Sequence, residues 1–61
     1  MIELTKLNKK KFFLNCDIIE TVESTPDTVI TLRNGKVIIV EEAPMEIMHL
    51  VIEYKRKLLN F

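Results

Sequence analysis

The sequence TVITLRNGKVIIV at residues 28–40 decides the fold, because it predicts two antiparallel strands joined by a tight turn. The predicted strands, residues 28–33 and 36–41, are rich in the β-branched side chains that favour strands. Asn34 and Gly35 between them are typical of a hairpin turn in which both residues adopt a positive φ. We therefore expect an antiparallel sheet built around this hairpin.

Three further strands are predicted before the hairpin. Residues 2–7 alternate apolar and polar side chains, and residues 11–15 are rich in strand formers, which indicates a second hairpin. Its turn lacks glycine, so Asn8 is the best candidate there for a left-handed backbone. Residues 18–24 predict a third strand, between a bend where Asn15 and Asp17 can bond nearby backbone and a turn containing Pro26.

The C-terminal residues 44–59 predict a helix that no glycine or proline interrupts after its first residue. Pro44 suits the first turn of a helix, Glu46 suits its positive N-terminus, and Lys55 lies near the end where cations are favoured. The element order is therefore ββ–βββ–α. We expect one α+β domain over residues 1–61, with a small antiparallel five-stranded sheet or partly open barrel and one C-terminal helix.

The predicted elements carry more apolar surface than a single copy can bury. At about 100° per residue, apolar side chains fill an arc about twice as wide as a helix on one sheet needs. The polar arc contains Glu46, His49, Glu53, Arg56, Lys57 and Asn60. The last strand is apolar on both faces, and a chain of 61 residues has only a marginal core.

This excess predicts a homo-oligomer, with a dimer as the commonest arrangement and a higher ring as a further option. The candidate interface residues are Phe13, Ile38, Val40, Met48, Ile52 and Leu59. The alternative is a closed small barrel that buries both sheet faces within a monomer.

Composition limits the chemistry that this chain can perform. Nine basic and nine acidic residues cancel, which argues against a general nucleic-acid binder. One cysteine, Cys16, and one histidine, His49, cannot complete a tetrahedral metal site. Glu46 and Glu53 flank His49 on one helix face and could bind a metal weakly, although a solvated histidine is the commoner explanation. We find no catalytic constellation, and we expect no enzyme activity, no cofactor and no metal.

Nothing in the sequence predicts a membrane span or a signal peptide. No apolar run approaches the roughly 18 residues that a span requires, and no signal peptide precedes the first charged residue, Glu3. We therefore expect a cytoplasmic protein.

Charged residues occur in blocks along the chain. Lys9, Lys10 and Lys11 form one basic cluster, and Lys55 begins another, with acidic segments between them. The ordinary interpretation is a solvated surface that keeps a small domain soluble. The functional interpretation is a docking patch for an acidic partner or for anionic lipid headgroups, with these four lysines as candidate contacts.

Short motifs along nearly the whole chain match a known family. They are Leu7-Asn8 with Phe12, Leu14 and Asn15; Asp17 with Ile19-Glu20; Thr25-Pro26-Asp27-Thr28-Val29-Ile30-Thr31-Leu32; Asn34-Gly35-Lys36; Val40 and Glu42; and Ile52-Glu53-Tyr54-Lys55-Arg56-Lys57. With these motifs the sequence resembles the FlbD/SwrD family of short flagellar and swarming-motility proteins. The family typically has glycine where this chain has Lys9, and proline where it has Cys16.

The resemblance implies a small bacterial cytoplasmic protein that supports flagellar motility, and motor power in swarming bacteria, without catalytic residues. Our hypothesis is a non-enzymatic adaptor whose oligomer presents Lys9, Lys10 and Lys11 to a flagellar motor or assembly protein at the cytoplasmic face. Peripheral membrane contact through the same lysines is compatible with this role. The alternatives are an oligomeric nucleic-acid-binding regulator of motility genes and, less favoured, a small-molecule sensor with an apolar groove under the helix.

Overall fold

The computed structural model describes residues 1–59, which form five strands, a short 3-10 helix and one α-helix. The strands are β1 (Ile2–Thr5), β2 (Lys11–Leu14), β3 (Ile19–Ser24), β4 (Thr28–Leu32) and β5 (Val37–Val40); the 3-10 helix is Cys16–Ile18 and α1 is Pro44–Leu59. The α+β class, with antiparallel strands and one C-terminal helix, is confirmed. Asn60, which the sequence places on the polar arc of the helix, lies outside the described residues.

The strands form two antiparallel sheets, whereas the sequence predicted one sheet or a partly open barrel. One sheet pairs β1 with β2, and the other has the order β3-β4-β5. The two sheets meet at an isolated bridge between Lys6 and Val40, and the Glu41 N–H donates to the Thr5 carbonyl at 2.9 Å. The pairing ends there because the chain leaves β5 at Val40 and turns toward the helix, which begins at Pro44.

The core lies between the helix and the covered faces of both sheets. Its buried members are Ile2, Leu4, Leu14, Cys16, Ile30, Leu32, Val40 and Ile47. Because the Cα register of β4 and β5 places Ile38 opposite Ile30 and Val40 opposite Thr28, these side chains share the covered face.

The burial of Val40 corrects one predicted interface residue. Val40 is only 1% exposed and belongs to the interior of one copy, whereas Ile38 is partly buried where it packs against the core. The open side of β5 carries Val37 and Ile39 instead, because alternate residues of a strand point to opposite faces. The sequence pattern was apolar on both faces and therefore did not distinguish them.

Both hairpins have loops of three residues with the same backbone hydrogen bonds. In the first, the Lys6 N–H donates to the Lys10 carbonyl at 2.9 Å, and the Lys9 N–H donates to the Lys6 carbonyl at 2.9 Å. In the second, the Leu32 N–H donates to the Lys36 carbonyl at 2.8 Å, and the Gly35 N–H donates to the Leu32 carbonyl at 2.9 Å.

The left-handed residues are Lys9, with φ 73°, and Gly35, with φ 88°. The expectation of positive φ at Asn8 and at Asn34 was therefore wrong. A three-residue hairpin loop places its left-handed residue last, after a type I turn, so the asparagine keeps a negative φ. Each asparagine instead accepts a backbone hydrogen bond from the residue two positions later, at 3.0 Å in both turns.

The start of α1 is fixed by a side chain of its own first turn. Oε1 of Glu46 accepts the Ala43 N–H at 3.1 Å, and the Ile47 N–H donates to the Ala43 carbonyl at 3.1 Å. Pro44 occupies the first helical position, where its missing N–H costs nothing. These contacts direct the helix so that Ile47 enters the core.

Candidate interaction surfaces

The first hairpin presents four exposed lysines, Lys6, Lys9, Lys10 and Lys11, which we call the basic tip. Nζ of Lys9 lies 2.8 Å from Oε2 of Glu41, while its side chain stays largely in solvent. Nζ of Lys6 lies 5.4 Å from the centroid of the Phe12 ring, within the range of a cation–π contact. Within residues 1–59, Lys10 and Lys11 form no ion pair.

The base of the basic tip is attached to the start of the helix through Glu42. The carboxylate of Glu42 accepts the Thr5 N–H at 2.9 Å and the Thr5 hydroxyl at 2.8 Å. Partial burial acts to raise the pKa of Glu42, but the two hydrogen bonds from Thr5 act in the opposite direction, and the pKa lies below its ordinary value. Glu42 therefore carries its charge at neutral pH and holds the buried Thr5 in place.

Lys55 does not lie with the other predicted lysine contacts. Its ammonium forms an exposed ion pair with Asp17, just before β3. The hydrogen bond from Lys55 holds the pKa of Asp17 below its ordinary value, and the same bond raises the pKa of Lys55. Lys55 lies about 16 Å along the helix axis from Pro44, whereas Lys9 contacts Glu41 just before the helix. The four candidate lysines thus belong to two separate surfaces.

One side of α1 carries an exposed row of apolar side chains, which we call the helix stripe: Met45, Met48, Ile52 and Leu59. Their exposed fractions lie between 46% and 85%. Their spacings of three, four and seven residues place them on one face at about 100° per residue. The structure therefore brings together three predicted interface residues and adds Met45, whose spacing was a signal that the sequence interpretation did not use.

A groove runs between the helix stripe and β3. Its volume is about 400 Å³, and its lining includes Cys16, Ile19, Val22, Met48 and Ile52. Strand β3 is the edge of its sheet and packs against the helix, which leaves this side of the core incompletely covered. The groove is thus an apolar extension of the helix stripe.

Phe13 marks a further exposed apolar position, away from the helix. It pairs with Glu3 across the β1–β2 ladder, on the opposite face from the half-buried Phe12. Val37 and Ile39 are exposed on the second sheet. The predicted interface residue Phe13 therefore lies on strand β2 and is not part of the helix stripe.

The opposite side of the helix is acidic. Glu3, Glu42, Glu46 and Glu53 surround His49 and Leu50 at a shallow depression. Among residues 1–59, no three His, Cys, Asp or Glu side chains converge closely enough to hold a metal ion. Over the same range, no helix has both the length and the apolar character needed to cross a membrane.

These features define a small α+β domain whose prominent features are a basic hairpin tip and an exposed apolar helix face. A scan of protein families matches residues 1–59 to FlbD, described as flagellar and swarming motility proteins. The chain therefore belongs to the FlbD family. Searches of curated proteins and of solved structures found no match. Family membership associates the chain with flagellar or swarming motility.

Proposed function

We propose that this chain is a non-enzymatic cytoplasmic adaptor that supports flagellar or swarming motility by binding an acidic surface of a motor or assembly protein. Family membership supports the link to motility. The observation that carries the adaptor role is the basic tip, where lysines project from a turn whose backbone is fixed by hydrogen bonds. A patch of one sign accelerates encounter with a surface of the opposite sign and orients the complex.

The basic tip is preorganised for docking. The Asn8 side chain accepts the Lys10 N–H, and the Thr5–Glu42 contact holds the strand that leads into the loop. Ordering a loop before binding reduces the entropy lost when the complex forms. The tip can therefore bind without first folding.

The lysines of the tip have different roles in this proposal. Lys9 is already paired with Glu41, so part of its charge is neutralised within the chain. Lys10 and Lys11 are exposed and form no such pair within residues 1–59, so they are the main contacts for an acidic partner. Lys55 is engaged with Asp17 on another surface and contributes little to this docking site.

The double substitution Lys10→Glu with Lys11→Glu tests the docking role. We expect loss of swarming and loss of the motor or assembly protein from a pull-down out of motile cells, with normal protein level and fold. The matched control is Arg33→Glu with Lys36→Glu, which makes the same charge change at the other hairpin. Normal swarming in the tip variant, or equal loss in both variants, contradicts the proposal.

Two binding assays separate this role from other uses of the same lysines. We expect no salt-dependent shift of a generic RNA or duplex DNA probe, because the acidic residues of this neutral chain oppose binding to a polyanion. We also expect vesicles containing phosphatidylserine to bind no more strongly than neutral vesicles. Strong binding to nucleic acid supports a regulator instead, and strong binding to acidic vesicles supports a membrane-anchored role.

A further inference from the structure

We infer that the helix stripe is the contact surface between two copies of this chain, packed as antiparallel helices around a two-fold axis at Ile52. This inference stands independently of the docking role of the basic tip. A chain can dimerise through α1 whether or not its tip binds a motor protein.

The spacing of the stripe is that of a helix-to-helix seam. Met45, Met48, Ile52, Lys55 and Leu59 follow one another in alternating steps of three and four residues. This period of 3.5 residues keeps one face toward a neighbouring helix. The seam from Met45 to Leu59 is about 21 Å long. It therefore occupies almost the full length of α1.

Lys55 is the one charged member of the seam, and it forms an ion pair with Asp17. Its ammonium is bound on the sheet side, and its side chain lines the same surface depression as Ile52 and Leu59. The aliphatic part of a lysine can cover apolar surface while its charge remains in water. The polar residue therefore does not interrupt apolar packing between two helices.

The charged residues beside the stripe favour an antiparallel second copy over a parallel one. Lys55 and Arg56 line the same surface as Ile52 and Leu59, whereas Glu46 and Glu53 lie on the opposite side of the helix. With the axis at Ile52, the two copies of Arg56 lie about 12 Å apart along the helices, whereas a parallel pair places them side by side. The two helix dipoles are also opposed in an antiparallel pair.

The antiparallel arrangement also matches the apolar side chains of the seam. With the axis at Ile52, this residue meets its own counterpart, because it lies midway between Met45 and Leu59. Met45 of one copy then meets Leu59 of the second copy. Met48 lines the adjacent groove, and its flexible side chain can repack there around an incoming side chain.

The stripe is the apolar surface that helix pairing removes from water, since each of its four side chains is at least 46% exposed in one copy. The open edge of β3 is a poorer site for a second copy, since Glu20 and Glu23 on it would face like charges in an antiparallel pair.

The oligomeric mass of charged variants tests the surface. We expect the wild type to be a dimer at high micromolar concentration, and Ile52→Glu to weaken self-association roughly tenfold or more. Val37→Glu is the matched control, because Val37 is similarly exposed but lies on β5. Circular dichroism checks the fold of each variant. A monomeric wild type, or dissociation by Val37→Glu and not by Ile52→Glu, overturns the inference.

Single cysteines test the geometry without relying on a destabilising charge. In a Cys16→Ala background, which removes the only native thiol, we expect Ile52→Cys to form a disulfide with its own copy. Met45→Cys and Leu59→Cys are expected to cross-link when mixed and not when each is oxidised alone. Glu53→Cys, on another side of the helix, is the control. Self-cross-linking of Met45→Cys equal to that of Ile52→Cys overturns the antiparallel arrangement.

Discussion

The two hairpin turns of this chain have the same geometry but different residues at the left-handed position. Corresponding backbone hydrogen bonds differ by no more than 0.1 Å, and both asparagine contacts measure 3.0 Å. The second turn places Gly35 at the left-handed position, and the first places Lys9 there. Glycine enters this region freely, whereas other residues incur a steric cost from Cβ.

This difference shows that surrounding contacts can fix a turn that its own sequence does not favour. The first turn is supported by the Lys9–Glu41 ion pair and by the Thr5–Glu42 hydrogen bonds beneath it. The second turn contains the strong Asn-Gly signal and has no comparable contact to the helix start within residues 1–59. The first turn therefore depends on the helix start. The second contains the favoured turn residues and is also joined to the 3-10 helix, where the Arg33 N–H donates to the Ile18 carbonyl at 2.9 Å.

The largest expected effect is on the support of the first turn. Glu42→Ala leaves the amide and hydroxyl of the buried Thr5 without their acceptor, which costs about 2 kcal/mol of unfolding free energy. Urea denaturation measures this loss. Glu41→Ala is the control, since it removes only an exposed ion pair worth well under about 1 kcal/mol. Equal losses in the two variants contradict the assigned role of Glu42.

Making the second turn resemble the first should destabilise the protein. Gly35→Lys forces a side chain into φ 88°, and no atom lies within 4 Å of the new Cβ, so the cost comes from the backbone alone. We expect a loss of about 1–2 kcal/mol in urea denaturation. Gly35→Asn is the control and should cost less, because asparagine tolerates this region better. No difference between the two variants would show that φ does not decide the turn.

Acid should loosen the first turn before the second. The depressed pKa of Glu42 means that its contribution to stability is fully present above the unfolded-state pKa and is lost as pH falls through the lower folded-state pKa. Hydrogen exchange should show the Thr5 amide losing protection, relative to the Leu32 amide, by about 1 kcal/mol. Glu42→Gln should remove the pH dependence of this difference. Equal loss of hydrogen-exchange protection at the Thr5 and Leu32 amides contradicts this prediction.

Making the first turn resemble the second should stabilise it slightly. Lys9→Gly relieves the cost of φ 73°, but it also frees the unfolded chain and removes the contact with Glu41, so the net gain is about 0.5–1 kcal/mol. Lys9→Ala keeps the strained backbone and is the control. If neither Lys9→Gly nor Lys9→Ala shifts the thermal or urea transition from that of the wild type, the backbone at Lys9 is not strained.

The smallest expected effects concern the asparagines. Asn8→Ala and Asn34→Ala each remove one side-chain acceptor at 3.0 Å in an exposed turn, at a cost of about 0.5 kcal/mol. Equal losses in urea denaturation support the equivalence of the two turns. A clearly larger loss at Asn8 would show that this asparagine compensates for the missing glycine.

The sequence predicted local structure better than it predicted how the sheets join and which faces are covered. The antiparallel strands and C-terminal helix follow from patterns within short segments, such as residues 28–40. The separation into two sheets depends on where the pairing of Lys6 with Val40 stops, which is a property of distant residues. The sequence also could not predict that Val40 is buried and Ile39 is exposed. Both side chains are apolar, and only their register with β4 distinguishes them.

For the candidate surfaces too, the sequence predicted features that depend on local patterns and missed contacts between distant residues. Exposure of the basic tip followed from a charge cluster in a turn, and the shared face of Met48, Ile52 and Leu59 followed from helical spacing. The sequence did not predict that Lys55 lies apart from the tip, because its contact with Asp17 joins residues 38 positions apart. The Thr5–Glu42 contact was missed for the same reason, since no local pattern indicates a hydrogen bond between residues 37 apart.

The irregular outer strand β3 has a consequence for behaviour in a crowded cell. The register shifts between Ile19 and Thr21, so Glu20 bulges from an edge that also carries Glu23. A bulge and carboxylates on a free edge hinder the stacking of one sheet onto the next. The edge of β3 is therefore a poor template for a strand of another chain, which opposes polymerisation through edge-to-edge pairing of sheets.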